Sequence, residues 1–168
     1  MRRDGARVLE AKGDLVAIRM KTITEMALSG AVRSHARTDI TARDVTATID
    51  EPEARGGTNQ GLTPTETLIS ALIGCTNVIT QRIAEHAGVR IGEMKIDATA
   101  KFDRRGVSLS EEVDVPFPQI TLDIEVSTDA TPGQLEQIRR DLARFCPIAK
   151  VIRGAGTELV ENWTARPL

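Results

Sequence analysis

The chain has 168 residues, of which 40% are hydrophobic and 27% charged, so it is long enough to bury a core without disulfides or a structural metal. It carries 22 Lys and Arg against 24 Asp and Glu, and this net charge of −2 provides no basic field for a nucleic-acid backbone. With three Phe, one Trp and no Tyr, it also lacks the aromatic residues that base-stacking surfaces need.

Two cysteines are too few for the disulfide framework of a secreted protein. Together with two histidines they cannot form a Cys-rich zinc site at the usual CxxC spacing, and only a scattered mixed site stays open. The N-terminal sequence shows no apolar signal-peptide region, and no window reaches the run of about 20 apolar residues that crosses a bilayer. We therefore expect a cytoplasmic protein without metal or other cofactor, nucleic-acid partner or membrane span.

The first 50 residues read as a series of strands between turn signals. Alternation of Val45, Ala47 and Ile49 is the clearest strand pattern. The predicted strands in the segment 6–50 are 7–11, 15–20, 22–28, 32–38 and 43–49. A polar, Gly-rich loop over 50–61 follows them.

A capping box starts a helix at Thr63, because Pro64 suits the first helical position and Glu66 stands three residues after the cap. Apolar residues occupy nearly every face of the following segment, which predicts a buried central helix over 63–88. Cys75 lies within this helix.

The second half of the chain predicts two long half-buried strands within 95–126, separated by a charged, irregular loop over 103–118. A second capping box begins a helix over 131–146, which ends before Pro147. A short helix over 148–152 and a last strand over 157–165 complete the pattern. We predict a single α+β domain spanning 1–168.

From the residues alone, Cys75 is better explained as a small buried hydrophobe, and it would need a nearby cation to act as a nucleophile. Cys146 precedes a proline at a helix start, where free backbone N–H groups stabilise a thiolate, so local capping makes Cys146 the more acidic candidate. A dithiol pair would need Cα atoms within roughly 7 Å, which sequence spacing does not show.

Two cysteine motifs on successive helices carry a family resemblance. The first spans 56–76 and reads GGTNQGLTPTETLISALIGCT, and the second spans 146–151 and reads CPIAKV. Together with the preceding Asp50-Glu51-Pro52, they resemble the OsmC/Ohr superfamily of osmotically inducible and organic hydroperoxide resistance proteins, in its OsmC-like branch. The resemblance covers roughly residues 30 to 165.

The resemblance implies an intertwined homodimer with antiparallel sheets wrapped around two central helices. It also implies a thiol peroxidase in which Cys75 attacks an organic hydroperoxide and becomes a sulfenic acid, and Cys146 resolves it as a disulfide. No cofactor is implied, because an external thiol or dithiol, such as a lipoyl-bearing protein, reduces the disulfide.

In the family, a glutamate before the first cysteine pairs with an arginine from an early hairpin that faces the thiolate. Glu66 occupies the glutamate position, although a capping box selects glutamate there as well. Arg33 fits the hairpin best, and Arg37 and Arg43 are the alternatives.

Two features depart from the family pattern: Thr76 stands where an aromatic residue often follows the first cysteine, and the 103–118 loop is longer than usual.

Three functions remain open at this point. They are a peroxidase, a thiol redox sensor, and a non-catalytic dimer that binds a small apolar ligand or is purely structural.

Overall fold

The computed structural model describes residues 22–168, which fold into six strands and three α-helices and confirm the α+β class. In chain order the elements are β1 (Ser29–Val32), β2 (Thr38–Ala42), β3 (Val45–Ile49), α1 (Pro64–His86), β4 (Ile91–Lys101), β5 (Gln119–Thr128), α2 (Pro132–Phe145), α3 (Pro147–Gly154) and β6 (Glu158–Arg166). A short 3-10 helix covers Glu53–Arg55 between β3 and α1.

The first sheet is an antiparallel meander in the order β1-β2-β3. The strand predicted over 32–38 is wrong, because a turn between Arg33 and Arg37 occupies most of it. The Ser34 hydroxyl accepts the N–H groups of Ala36 and Arg37 at 3.2 and 3.0 Å, and this local bonding competes with a strand ladder.

The four other predicted N-terminal strands have different outcomes. Residues 22–28 form no strand, so that prediction is wrong. The strand predicted from residue 43 starts at Val45, because Arg43 adopts a left-handed φ of 56° in the β2–β3 turn. The strands predicted over 7–11 and 15–20 lie outside the described residues.

Helix α1 begins as the capping box predicts. The Glu66 carboxylate accepts the Thr63 N–H at 2.8 Å, and the Thr63 hydroxyl accepts the Glu66 N–H at 3.3 Å. The chain leaves the helix at Gly88, whose φ of 67° favours glycine. One face of α1 is buried, with residues at a spacing of four: Leu72, Thr76, Thr80 and Ala84.

The second sheet has the order β4-β5-β6 and provides the surface on which α1 packs. Strand β5 is central, and alternate residues on it are almost completely buried: Ile120, Leu122, Ile124 and Val126. Strands β4 and β5 are antiparallel, but β5 and β6 run parallel, which corrects the expectation of antiparallel sheets. The direction follows from the connection, since α2 and α3 together carry the chain back to the start of β5.

The segment 103–118 contains no helix or strand, but ion pairs connect several of its residues. The Arg105 guanidinium binds the Asp103 carboxylate and the Glu111 carboxylate, at 2.6 Å each. Within residues 22–168, no helix combines the length and the apolar character that crossing a membrane requires.

Candidate active site

The two thiols lie in contact. Helix α1 packs against α2 and α3, and this packing places Cys75 Sγ 3.2 Å from Cys146 Sγ, with both cysteines reduced. Cys146 is completely buried, whereas Cys75 is partly exposed. Of the two residues, only Cys75 therefore reaches the surface of the chain.

The junction between α2 and α3 positions Cys146. Its backbone is extended, with φ −69° and ψ 110°, because Pro147 follows and starts α3. The Cys146 N–H donates to the Leu142 carbonyl at 2.9 Å, and the Cys146 carbonyl accepts the Lys150 N–H at 3.1 Å. The cysteine thus joins two helices while its side chain remains in the core.

The pKa of the Cys146 thiol is raised to about 11, mainly by burial and to a smaller extent by the neighbouring Cys75 sulfur. The backbone N–H groups of Ala149 and Ile148 at the start of α3 act in the opposite direction, but each has a smaller effect than burial. The expectation that capping makes Cys146 acidic is therefore wrong, because desolvation outweighs the helix N-terminus. No arginine among residues 22–168 forms a hydrogen bond with either thiol.

Glu66 lies at the start of α1, and its carboxylate is occupied by the capping box. The Thr63 N–H is the main group that lowers the pKa of Glu66, and the positive charge of Arg55 contributes a smaller part. Arg55 is not among the arginines that the sequence singled out. It is the last residue of the short 3-10 helix, a segment that the sequence predicted only as part of a polar loop.

Arg33 and Arg37 share one carboxylate on the first sheet. Their Nε atoms lie 2.9 and 3.0 Å from the Asp39 oxygens, and both arginines lower the pKa of Asp39. The Arg33 side chain is 60% exposed, while Arg43 lies in the β2–β3 turn. Within one chain, none of these three arginines hydrogen-bonds to the thiols, so the role of Arg33 stays a prediction.

A buried carboxylate holds the loop that leads to α1. Asp50 is completely buried and accepts four hydrogen bonds, from the Thr58 hydroxyl at 2.6 Å and from the N–H groups of Glu51, Thr58 and Gln60 at 2.9–3.1 Å. These bonds lower the pKa of Asp50 to about 2, the Thr58 hydroxyl contributing most. In the sequence, the only sign of this role was the position of Asp50 immediately before a Gly-rich loop.

The same loop requires its glycines. A Cβ on Gly57 would lie 1.8 Å from the Glu51 carbonyl oxygen, and one on Gly61 would lie 2.1 Å from the Thr48 carbonyl oxygen. Both backbones approach too closely for any side chain, which gives the glycine pattern of the first motif a steric cause.

An apolar cleft of about 420 Å³ opens between the first half of α1 and the end of β4. Ile69 and Ile73 line one side, Ala98 and Ala100 the other. Phe102 also borders it, and its ring stacks on Phe117 with centroids 4.9 Å apart. Neither cysteine lines this cleft, so it is a second feature beside the thiol pair.

Among the described residues, no group of three His, Cys, Asp or Glu side chains is placed to hold a metal ion.

Comparison with known structures finds the same fold in several proteins. An OsmC-like protein from Mycoplasma pneumoniae aligns with a TM-score of 0.71 at 14% identity, covering 84% of this chain and 97% of that one. An organic hydroperoxide resistance protein from Elizabethkingia anophelis aligns with a TM-score of 0.64 at 14% identity, covering 88% and 100%. The organic hydroperoxide resistance protein OhrB of Bacillus subtilis gives a TM-score of 0.55 at 19% identity, covering 84% and 98%.

No curated protein matches the sequence significantly. The family model described as OsmC-like protein, however, matches residues 57–160, a range that contains both cysteine motifs and most of the elements that place them. The chain therefore belongs to the OsmC-like protein family.

Proposed function

We propose that this protein is a thiol peroxidase that reduces organic hydroperoxides to alcohols through Cys75 and Cys146. The observation that carries the proposal is the 3.2 Å contact between the sulfur atoms of the partly exposed Cys75 and the buried Cys146. The hydroperoxide resistance proteins that share the fold support the substrate class. The proposed location is the cytoplasm, where thiol reductants keep such a pair reduced.

The proposed reaction has three steps. The Cys75 thiolate attacks the terminal oxygen of the hydroperoxide, the O–O bond breaks, and the alkoxide takes up a proton and leaves as the alcohol. The Cys146 thiol then attacks the Cys75 sulfenic sulfur, which forms the disulfide and releases water. An external dithiol, of the lipoyl type, finally reduces the disulfide to two thiols and is itself oxidised to a disulfide.

The first step needs a cation, because the attacking thiolate and the departing alkoxide are both negative. We propose that a homodimer supplies it, with the first sheet of one subunit lying against α1 of the other and bringing Arg33 or Arg37 of the partner subunit to Cys75.

Exposed apolar residues on the two surfaces support this dimer. Val32 of β1 is 76% exposed and Val78 of α1 is 46% exposed, and within residues 22–168 the first sheet makes no extensive contact with a helix of its own chain.

Intact mass after one equivalent of cumene hydroperoxide tests the proposal. The expected product is a chain lighter by two hydrogen atoms, which a dithiol such as dihydrolipoamide returns to the starting mass. Cys75→Ser abolishes the change, whereas the matched control Thr76→Ser, at the next helical position, retains it. An unchanged mass of the wild-type chain would overturn the proposal. Disulfide formation without steady consumption of peroxide would instead indicate a redox sensor.

The apolar cleft favours one second function, the binding of a small apolar ligand without catalysis. Its volume lies in the range that accommodates small molecules, and no cysteine lines it. This candidate predicts saturable ligand binding in a chain that leaves cumene hydroperoxide unreduced. Comparing the two assays on one preparation separates the functions.

A further inference from the structure

A second cavity adjoins the apolar cleft. This loop cavity has a volume of about 520 Å³ and lies between the 33–37 turn, the 50–61 loop and the start of the long 103–118 loop. Thr65 and Phe102 line both spaces, so the cleft and the loop cavity lie side by side along the start of α1. Their combined size suits an elongated ligand rather than a compact one.

The loop cavity carries positive charge. Arg55 and Arg104 line it, and the Arg55 Nε is already paired with the Glu51 carboxylate at 2.6 Å. Arg104 forms no ion pair with any residue from 22 to 168, in contrast to its neighbour Arg105, whose guanidinium binds two carboxylates of the loop. One guanidinium is therefore left for a ligand, and the His35 imidazole on the same wall offers a further polar contact.

The cleft has the opposite character. Its walls are aliphatic and aromatic, and the one charged residue among them is Glu66. The Thr63 N–H keeps the Glu66 carboxyl ionised by lowering its pKa. A negative group on a ligand would be repelled there, whereas a hydrocarbon chain would cover apolar surface. The two adjacent spaces thus select opposite ends of an amphipathic molecule.

We propose that the cleft and the loop cavity together bind a fatty acid, with the acyl chain in the cleft and the carboxylate at Arg104. One uncommitted guanidinium matches a monoanion better than the double charge of a phosphate monoester. This inference goes beyond the proposed peroxidase, because it concerns a binding site that needs neither thiol and predicts binding of acids that carry no peroxide.

Calorimetric titration with decanoic acid, decanol and decyl phosphate tests the proposal. We expect decanoic acid to bind at least about tenfold more tightly than decanol, since a charge-assisted hydrogen bond from arginine is lost in the alcohol. Arg104→Ala removes this preference and leaves decanol binding unchanged. Arg104→Lys retains part of it, and Arg140→Ala on α2, an exposed arginine far along the chain, serves as the matched control.

The cleft is tested by Ala100→Phe, which fills it and weakens acid and alcohol alike. Thermal unfolding of each variant checks that the fold is retained, and Ala98→Leu replaces any variant that fails to fold. Equal binding of acid and alcohol, or no effect of Arg104→Ala, overturns the proposal. Tighter binding of decyl phosphate than of decanoic acid overturns the carboxylate assignment. The peroxidase assay is independent: fatty-acid binding without peroxide reduction contradicts the proposed function alone.

Discussion

Replacing Cys146 with serine separates the two chemical steps of the proposed cycle. The substitution leaves Cys75 able to react with peroxide but removes the thiol that lies 3.2 Å from its sulfur. We therefore expect the variant to stop as the Cys75 sulfenic acid, which gains the mass of one oxygen atom, whereas the wild-type chain proceeds to the disulfide.

The size of the effect follows from the contact distance. Groups held in line at about 3–3.5 Å react with effective molarities from about 10⁵ M upwards, whereas an external thiol is present at about 1 mM. Reorienting the buried thiol consumes part of this advantage, and we expect resolution of the sulfenic acid to slow by at least about 10³-fold. Rapid mixing with peroxide, followed by trapping of the sulfenic acid with dimedone and mass analysis, measures this rate.

Cys146→Ala is the matched variant, because it removes the thiol without burying a hydroxyl group. Both substitutions should behave alike in the trapping assay. Resolution at the wild-type rate in either variant, with no external thiol present, would show that Cys146 is not the resolving group. The geometric reasoning would then fail, whatever the peroxide reactivity of Cys75.

Four further predictions concern stability. Leu72→Ala, in the completely buried face of α1, lowers the free energy of unfolding by about 2–5 kcal/mol in urea titrations. Glu66→Ala lowers it by about 1 kcal/mol, because one reciprocal capping bond is lost. Since the pKa of the Cys146 thiol rises from 9.0 to about 11 on folding, the reduced protein keeps that contribution below pH 9 and loses it as pH rises through 11. Since the pKa of Asp50 falls from 3.8 to about 2, its contribution is present above pH 4 and is lost as pH falls towards 2.

Each prediction has a control at constant protein concentration, because an oligomer changes its apparent stability with dilution. Val151→Ala, at a site 70% exposed, should change the unfolding free energy by less than about 0.5 kcal/mol. Cys146→Ala should remove the alkaline loss, and Asp50→Asn should flatten the acid limb. Persistence of either pH dependence in its variant would contradict the assigned group. Glu66→Gln, which retains an acceptor, should be milder than Glu66→Ala, and equal losses would exclude the capping bond.

Features set by neighbouring residues were predictable from the sequence. The capping box at Thr63 and the proline that ends α2 act within one helical turn, so their positions follow from local rules. The turn after Arg33 was missed although Ser34 is a recognised turn former, and its hydroxyl accepts the Arg37 N–H at 3.0 Å.

Properties that depend on packing were not predictable. The pKa of Cys146 is decided by complete burial among α1, α2 and α3, which no local sequence window contains. The parallel pairing of β5 with β6 depends on how the two helices between them fold back onto the sheet. The loop cavity is lined by residues from three segments that are distant in the chain. Neither Arg55 nor Arg104 belongs to a sequence motif that would have pointed to it.

The late position of α2 and α3 in the chain affects how the Cys75 thiol can be oxidised while the chain is still being synthesised. Cys146 follows Cys75 by 71 residues and meets it through the packing of α1 against α2 and α3. A growing chain that has completed α1 alone therefore carries a single thiol with no intramolecular partner, and oxidation at that stage leads to sulfinic acid or to coupling between chains. Formation of the internal disulfide would thus mark a molecule whose C-terminal half has already folded.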